Sequence, residues 1–301
     1  MRISELMEKY KIVDSYKIDN EKNFDTLGLT ESIIDVPYCT FIDDEKYSDN
    51  LSEYITMVLT TEELAEKVLG INRGVCIVDN PRNTFFKLHN ALGKSNDYMR
   101  ESFDTVIGRN CNISKMAVIA EKNVIIGDNV TIEEFVVIRE NTIIKDNCII
   151  RAGVKIGSVD FEFKRENNTI FGVDHYGGVI IENNVEIQCN SVINRGLYPW
   201  DDTFIGAFTK IDAEVLISHG VKIGKCSMIV GHSILGGRTV IGENCWIGIS
   251  SMIRNGLNIG DNARVNMGAV VTKSVKEGET VTGNFAIRHD KFISNMKKSL
   301  K

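Results

Sequence analysis

Proline is scarce in this chain, with three residues in 301, and no low-complexity tract accompanies them, so there is little room for a disordered linker. No apolar run approaches the roughly 18 residues of a membrane span. Met1 to Tyr10 is a charged amphipathic segment and not a signal peptide. A surplus of positive charge is also missing: the net charge of −6 argues against a general nucleic-acid or membrane-surface binder. The seven cysteines include no CxxC pair and read as reduced core residues of a cytoplasmic protein. What remains, 43% apolar and 25% charged, is the composition of a soluble protein of one to two domains.

A period of six fills most of the chain. Of the sixteen residues met by stepping in sixes from Ile181 to Val271, fifteen are Ile, Leu or Val, and only Pro199 breaks the series. The fourth residue after each is mostly small or β-branched, as at Ser191, Thr209, Val221, Ser233 and Cys245. Two inward positions per hexad describe one short strand and one corner. Gly often follows the large aliphatic residue, as in Ile223-Gly224 and Ile241-Gly242, where a corner must turn without a Cβ in the way. The expected fold is therefore a β-rich left-handed parallel β-helix of hexapeptide repeats, with three hexads closing each triangular coil of eighteen residues.

The repeat runs upstream through Ile107, Ile113 and Ile119, then after a one-residue slip through Ile126 to Ile156. It fails twice. From Gly157 to Val179 the phase is lost and the sequence turns polar and aromatic, so a loop is expected to leave the prism there. From Asn194 to Thr203 the count is kept, but Pro199 stands where an inward Ile belongs and cannot donate to a ladder. Loops in a rigid solenoid are usually functional. Residues 1–100 have no period of six and read as a small α/β domain. It has a helix near Ile3 to Tyr10, a helix opened by Thr60 or Thr61 and closed by Gly70, and a strand Val75 to Val78. A further helix is capped by Asn80, opens with Pro81 and stops at Gly93. The expected division is thus residues 1–100, a β-helix over 101–285, and a short basic C-terminal helix over 286–301. Flat prism faces predict a symmetric trimer.

Chemistry concentrates between Ile205 and Gly224. His219 lies two places past an inward Ile, at an outward corner, and an imidazole suits a base that takes a proton from an attacking amine or hydroxyl at neutral pH. A histidine at such a corner is equally an ordinary surface residue. Asp212, seven residues earlier, could orient the ring. Gly237 follows His219 by eighteen residues, one full coil, and its N–H is a candidate oxyanion donor. His219 and His232 are thirteen apart with no His-x4-His pair, which speaks against the three-histidine zinc site of gamma-class carbonic anhydrases, prisms of the same kind, so no metal is expected.

The pattern Ile-Asp-x4-Ile-x-His-x-Val-x-Ile-Gly around Asp212 and His219, preceded by Asn194-Arg195-Gly196 and Asp201-Asp202-Thr203, resembles the UDP-3-O-acylglucosamine N-acyltransferases of lipid A biosynthesis. The likeness extends to the amino-terminal domain, where Thr40-Phe41-Ile42-Asp43-Asp44-Glu45-Lys46-Tyr47 looks like that family's uridine-binding stretch and Asp79-Asn80-Pro81 resembles its next turn. The resemblance implies that His219 is the general base, Asp212 its partner and Gly237 the oxyanion donor. It implies further that Phe41, Asp44 and Tyr47 hold uracil and that His175, in Asp174-His175-Tyr176-Gly177-Gly178-Val179, stands beside the site. The sequence also departs from the family. Asp44 replaces an Asn, Asn194 replaces an Asp, and Gly256, beside Asn255, stands where the family has a second active-site histidine. Two extra residues lengthen the turn at Tyr198-Pro199-Trp200, whose Trp200 could stack on a sugar, although a Trp in a turn more often serves simple packing. Near the carboxyl end Gly283-Asn284-Phe285-Ala286 replaces the family's Gly-x-Pro.

The expected function is thus an acyltransferase, transferring groups other than amino-acyl groups, in lipid biosynthesis. It moves an acyl group from a phosphopantetheine thioester, carried by acyl carrier protein or coenzyme A, to the amino group of a nucleotide-linked amino sugar. No permanently bound cofactor is implied. The basic carboxyl end suits docking of an acidic acyl carrier protein, or a solvated cap. One alternative is an acetyl-CoA-dependent sugar O- or N-acetyltransferase of surface polysaccharide synthesis. Another, of a different class, is a non-catalytic trimeric binding module.

Overall fold

A computed structural model describes residues 1–95, 98–283, 286 and 288–299. The expectations at Asn284, Phe285 and Ile287 and at Leu300 and Lys301 lie outside the described residues. The chain divides into two compact units. The first comprises Met1–Glu101 together with Phe161–Tyr176 and Leu197–Trp200, and the second comprises Ser102–Asp160, Gly177–Gly196 and Asp201–Lys301. Both breaks in the hexad series therefore mark segments that belong to the first unit.

The second unit is a parallel β-solenoid, as the period of six requires. Its two- and three-residue strands form three sheets of nine, eight and eight strands among the described residues. The coils bond in parallel register, for example Lys222 opposite Val240 and Ile223 opposite Ile241, with one shift, between Ile156 and Ser158, where the chain nears its first excursion. The hexad aliphatics fill the interior: Ile205, Ile211, Ile217 and Ile223 are fully buried. Burial of such a side chain contributes about 1.5–3 kcal/mol. Cys148 and Cys245 stand among them, and burial pushes the Cys148 thiol up to about 11. Most corners turn through one left-handed residue, and Asn supplies many of these because its short polar side chain tolerates that conformation. Asn129 (φ 59°) and Asn147 (φ 59°) illustrate the ladder that results, with the amide of Asn129 donating to that of Asn147 at 3.3 Å.

The outward rows of the three sheets differ. The sheet running from Val118–Ile119 to Val270–Val271 presents Val118, Val137, Val192, Leu216, Ile234, Met252 and Val270, interrupted only by Lys155. The sheet ending at Asn258–Ile259 is also largely apolar outside, through Val106, Ile125, Ile143, Ile180, Phe204 and Val240. The remaining sheet carries Asn112, Thr131, Glu186, Lys210 and Arg264 among its outward residues.

The first unit is a five-stranded sheet ordered Lys17–Asp19, Gly74–Ile77, Ile55–Thr60, Tyr38–Ile42, Thr26–Leu27, parallel except at Lys17–Asp19. The helix Pro81–Leu92 forms where its caps predict: Asn80 accepts from the Asn83 N–H at 3.0 Å, Pro81 opens the first turn, and Gly93 ends it. The segment expected as a plain loop forms a β-hairpin, Phe163–Glu166 with Thr169–Gly172. Asn83 fastens it by donating to the Arg165 carbonyl at 2.8 Å.

Candidate active site

The second unit brings together His219, Gly237 and Asp160. His219 lies on the corner between the strands Leu216–Ile217 and Lys222–Ile223, and Gly237 lies on the same corner one coil later. The stacking is tight. A Cβ built on Gly237 would stand 2.5 Å from His219 Cε1 and 2.6 Å from Nε2, so only glycine leaves room for the ring. The backbone N–H groups flanking Gly237 are spent on the ladder, Gly236 to Ile253 at 2.9 Å and Arg238 to His219 at 2.8 Å. Among the described residues the Gly237 N–H has no acceptor.

One carboxylate oxygen of Asp160 accepts both the His219 backbone N–H at 2.9 Å and ring Nδ1 at 2.8 Å. Both side chains are close to buried, at 11% and 13% exposed. A carboxylate only accepts, so Nδ1 carries the proton and Nε2 the basic lone pair. Sequence reasoning gave no role to Asp160, which falls in the polar stretch of the first break. The available signal was an acid at the last position before the chain leaves the solenoid.

Asp212 does not take the role expected of it. Seven residues are one hexad plus one, which puts it on the preceding corner, between Lys210–Ile211 and Leu216–Ile217. Its exposed carboxylate accepts from the N–H groups of Ala213 at 2.8 Å and Gly231 at 3.0 Å, a corner cap within the solenoid. His232 is likewise on that other corner, exposed beside Glu214 at 3.2 Å.

The residues around Asn194 and Asp201 join the ends of the excursions. Gly177, Gly196 and Asp201 meet where no side chain fits, since a Cβ on Gly196 would fall 1.3 Å from the Asp201 carbonyl oxygen. Arg195 donates to the carbonyls of Gly157 at 2.7 Å and Glu140 at 2.9 Å. Lys222 pairs with Asp201 at 2.9 Å and also donates to the Asp202 carbonyl. Asn194 is buried, its carbonyl accepting from Thr203 Oγ1 at 2.6 Å, which in turn accepts from the Gly220 N–H at 2.9 Å. Asn194 thus backs the chain beside His219. Asn255 is exposed on the coil after Gly237, next to Gly256, where a Cβ would meet nothing within 4 Å.

The other expected residues lie in the first unit. Phe41 packs against Phe85 (centroids 5.1 Å apart), and the Arg82 guanidinium, which forks onto Asp43 at 2.8 and 3.3 Å, covers its ring at 5.4 Å. Asp44 is exposed and caps a short turn, bonded to the Lys46 ammonium at 2.7 Å, which holds its carboxyl below the ordinary value. That ammonium also lies over the Tyr47 ring at 4.7 Å. A cavity of about 610 Å³ opens at the carboxyl ends of Ile55–Thr60 and Gly74–Ile77, lined by Tyr16, Thr61, Glu62 and Asp79 and not by Phe41 or Tyr47. His175 is buried, its Nδ1 bonded to the Val173 carbonyl at 3.1 Å. Trp200 serves packing: it stacks on Tyr198 with centroids 5.3 Å apart at 3°, and its Nε1 donates to the Leu27 carbonyl at 2.8 Å. One ring face and the N–H that a sugar would use are taken.

Two family models match short stretches of the solenoid: bacterial transferase hexapeptide (six repeats) over residues 123–158, and hexapeptide repeat of succinyl-transferase over 238–273. The curated relatives include proteins named UDP-3-O-acylglucosamine N-acyltransferase. That of Bordetella parapertussis is 36% identical over 37% of this chain and 30% of its own length. That of Delftia acidovorans is 32% identical over 45% of this chain and 40% of its own length. The chain thus spans less than half the length of these relatives. Among solved structures the solenoid is similar to the UDP-N-acetylglucosamine acyltransferases of Arabidopsis (TM-score 0.50, 22% identity, 60% of this chain and 68% of that one) and Francisella novicida (TM-score 0.50, 24% identity, 60% and 65%). These two likenesses show the fold.

Proposed function

We propose that the chain is an acyltransferase which moves an acyl group from a phosphopantetheine thioester to the amino group of a nucleotide-linked amino sugar. The observation that carries this reading is the stack of His219 on Gly237 with Asp160 behind the ring. His219 Nε2 takes a proton from the amine as its nitrogen bonds to the thioester carbonyl carbon. The Gly237 N–H, unspent in the ladder, donates to the oxyanion that forms. The tetrahedral intermediate then collapses, the C–S bond breaks, and the imidazolium returns the proton to the departing thiolate. The products are an amide and a free thiol, and the electron count closes without a metal or redox partner.

The names of the curated relatives support the substrate class, a UDP-linked amino sugar of lipid A synthesis. The donor is carried by acyl carrier protein or coenzyme A. Uracil contact through Phe41, Asp44 and Tyr47 requires the Arg82 guanidinium to share or yield the Phe41 face. The two apolar outward rows support a homotrimer: a three-fold ring uses two different faces per protomer, one against each neighbour, and leaves the third in water. All seven cysteines are free, which suits the cytoplasm, and no helix among the described residues is long and apolar enough to cross a membrane.

The test offers the purified chain a panel of UDP- and dTDP-amino sugars with acetyl-CoA and with long-chain acyl carrier protein, and weighs the products by mass spectrometry. An acylated nucleotide sugar is expected, and the productive pairing identifies donor and acceptor. If no sugar gains an acyl mass with any donor, the enzymatic reading fails and the non-catalytic module takes its place.

A further inference from the structure

The charges of the solenoid's last coils are sorted by corner. On the corner that carries His219, successive later coils hold Arg238, Arg254 and Lys273, and no Asp or Glu occurs in 234–242, 252–260 or 270–275. The corner that follows in the same coils carries Glu243, Asp261 and Glu277. In a chain of net charge −6 this separation sets a cationic strip on the coils that follow the proposed base, whose own coil is flanked by the carboxylates of Asp160 and Asp201.

Arg238 is the member closest to the chemistry. It follows Gly237, and its N–H donates to the His219 carbonyl at 2.8 Å. It occupies the left-handed corner position (φ 57°) between two glycines in the same column, Gly220 (φ 66°) one coil before and Gly256 (φ 71°) one coil after. Its Cγ lies 3.4 Å from where a Cβ on Gly220 would stand, a point that a carboxylate oxygen of Asp201 approaches to 2.7 Å, so the stem leans along the corner over the His219 coil beside that carboxylate. Above it the space at Gly256 is open. Arg254 and Lys273 are exposed on the next two coils. Strands stack about 4.8 Å apart, so the three cations span roughly 10 Å. A guanidinium fork matches two phosphoryl oxygens, and the lysine adds a point charge.

We propose that Arg238, Arg254 and Lys273 form a phosphate-binding rail that positions a phosphorylated substrate against His219. The inference rests on the acyl-transfer reading of the same site and names the group by which a substrate is held there. The phosphate has two possible sources: the diphosphate of the nucleotide-linked acceptor, or the phosphates of the pantetheine-bearing donor.

Isothermal titration of the full-length chain with UDP and, separately, with coenzyme A distinguishes them. The double variant Arg238→Ala/Arg254→Ala is expected to lose roughly tenfold or more in affinity for one of the two ligands, and the ligand affected names the source. Arg238→Lys should lose less, the wild-type affinity should fall between about 0.05 and 0.5 M salt, and Lys225→Ala, on another corner, should bind normally. Circular dichroism melts of each variant separate lost binding from lost fold. Equal affinity of wild type and double variant for both ligands overturns the proposal, as does failure of both to bind the wild type at millimolar concentration. Because the readout is binding, loss of affinity without any detectable acyl transfer would keep the rail and reject the transfer reading. Transfer with unchanged binding in the variant would do the reverse.

Discussion

At the scale of single residues, the account turns on two neighbours of one ring. Asp160 accepts from Nδ1 and leaves Nε2 basic. An Asn there can present its NH2 to Nδ1 and reverse the tautomer, so Asp160→Asn should lower turnover by roughly 10²–10⁴-fold. Nitrogen NMR of the His219 ring should show the change of protonated nitrogen, and an unchanged tautomer with unchanged turnover would remove Asp160 from the mechanism. Gly237 is constrained from the other side, since a methyl at its Cα would lie 2.6 Å from His219 Nε2. Gly237→Ala is expected to cost roughly 10²-fold or more in turnover through displacement of the ring, and about 1–3 kcal/mol of stability through overpacking. Of this pair of contacts only the Gly237 one was legible in the sequence. Eighteen residues from His219 to Gly237 is one coil, and coil arithmetic is exact in register. Asp160 lies 59 residues from His219, inside the stretch from Gly157 to Val179 where the phase is lost and counting gives no position. Asp212 was paired with His219 by the resemblance and against the same arithmetic, since seven residues are one hexad plus one and carry the chain to another corner.

At the scale of elements, the hexads are self-consistent: each inward aliphatic meets its counterparts in the coils on either side. Ile223→Ala, at a fully buried site between Ile205 and Ile241, should cost about 2–5 kcal/mol in denaturant unfolding. A cost under 1 kcal/mol would mean that the column is not packed as described. The elements outside the repeat were legible where they carried their own punctuation, as in the helix from Asn80 to Gly93. They were not legible where a strand depends on partners far away. The stretch Tyr38–Ile42 drew notice only for its likeness to a uridine-binding segment and not as a strand, yet it is an interior strand of the sheet. The hairpin Phe163–Glu166 with Thr169–Gly172 was read as a loop, because its pattern of exposure has no buried face to announce it. Trp200 was left between a sugar platform and simple packing, because nothing in the sequence showed that Tyr198 and Leu27 would claim it.

At the scale of the whole molecule, the two failures of the hexad series have one explanation: the chain leaves the solenoid twice to supply segments of the first unit. The outward rows predict the assembly. Sedimentation equilibrium should give three times the chain mass, and a charge placed mid-row, as in Leu216→Glu, should lower it to that of the single chain, whereas a wild-type monomer would contradict the trimer. The central claim is that His219 removes the proton from the attacking amine, and the measurement that meets it most directly is the acyl-transfer rate of His219→Ala, on a sugar and donor that the wild type accepts. The account predicts a fall of roughly 10²–10⁴-fold in kcat/KM with the solenoid still folded, and transfer at the wild-type rate would contradict it.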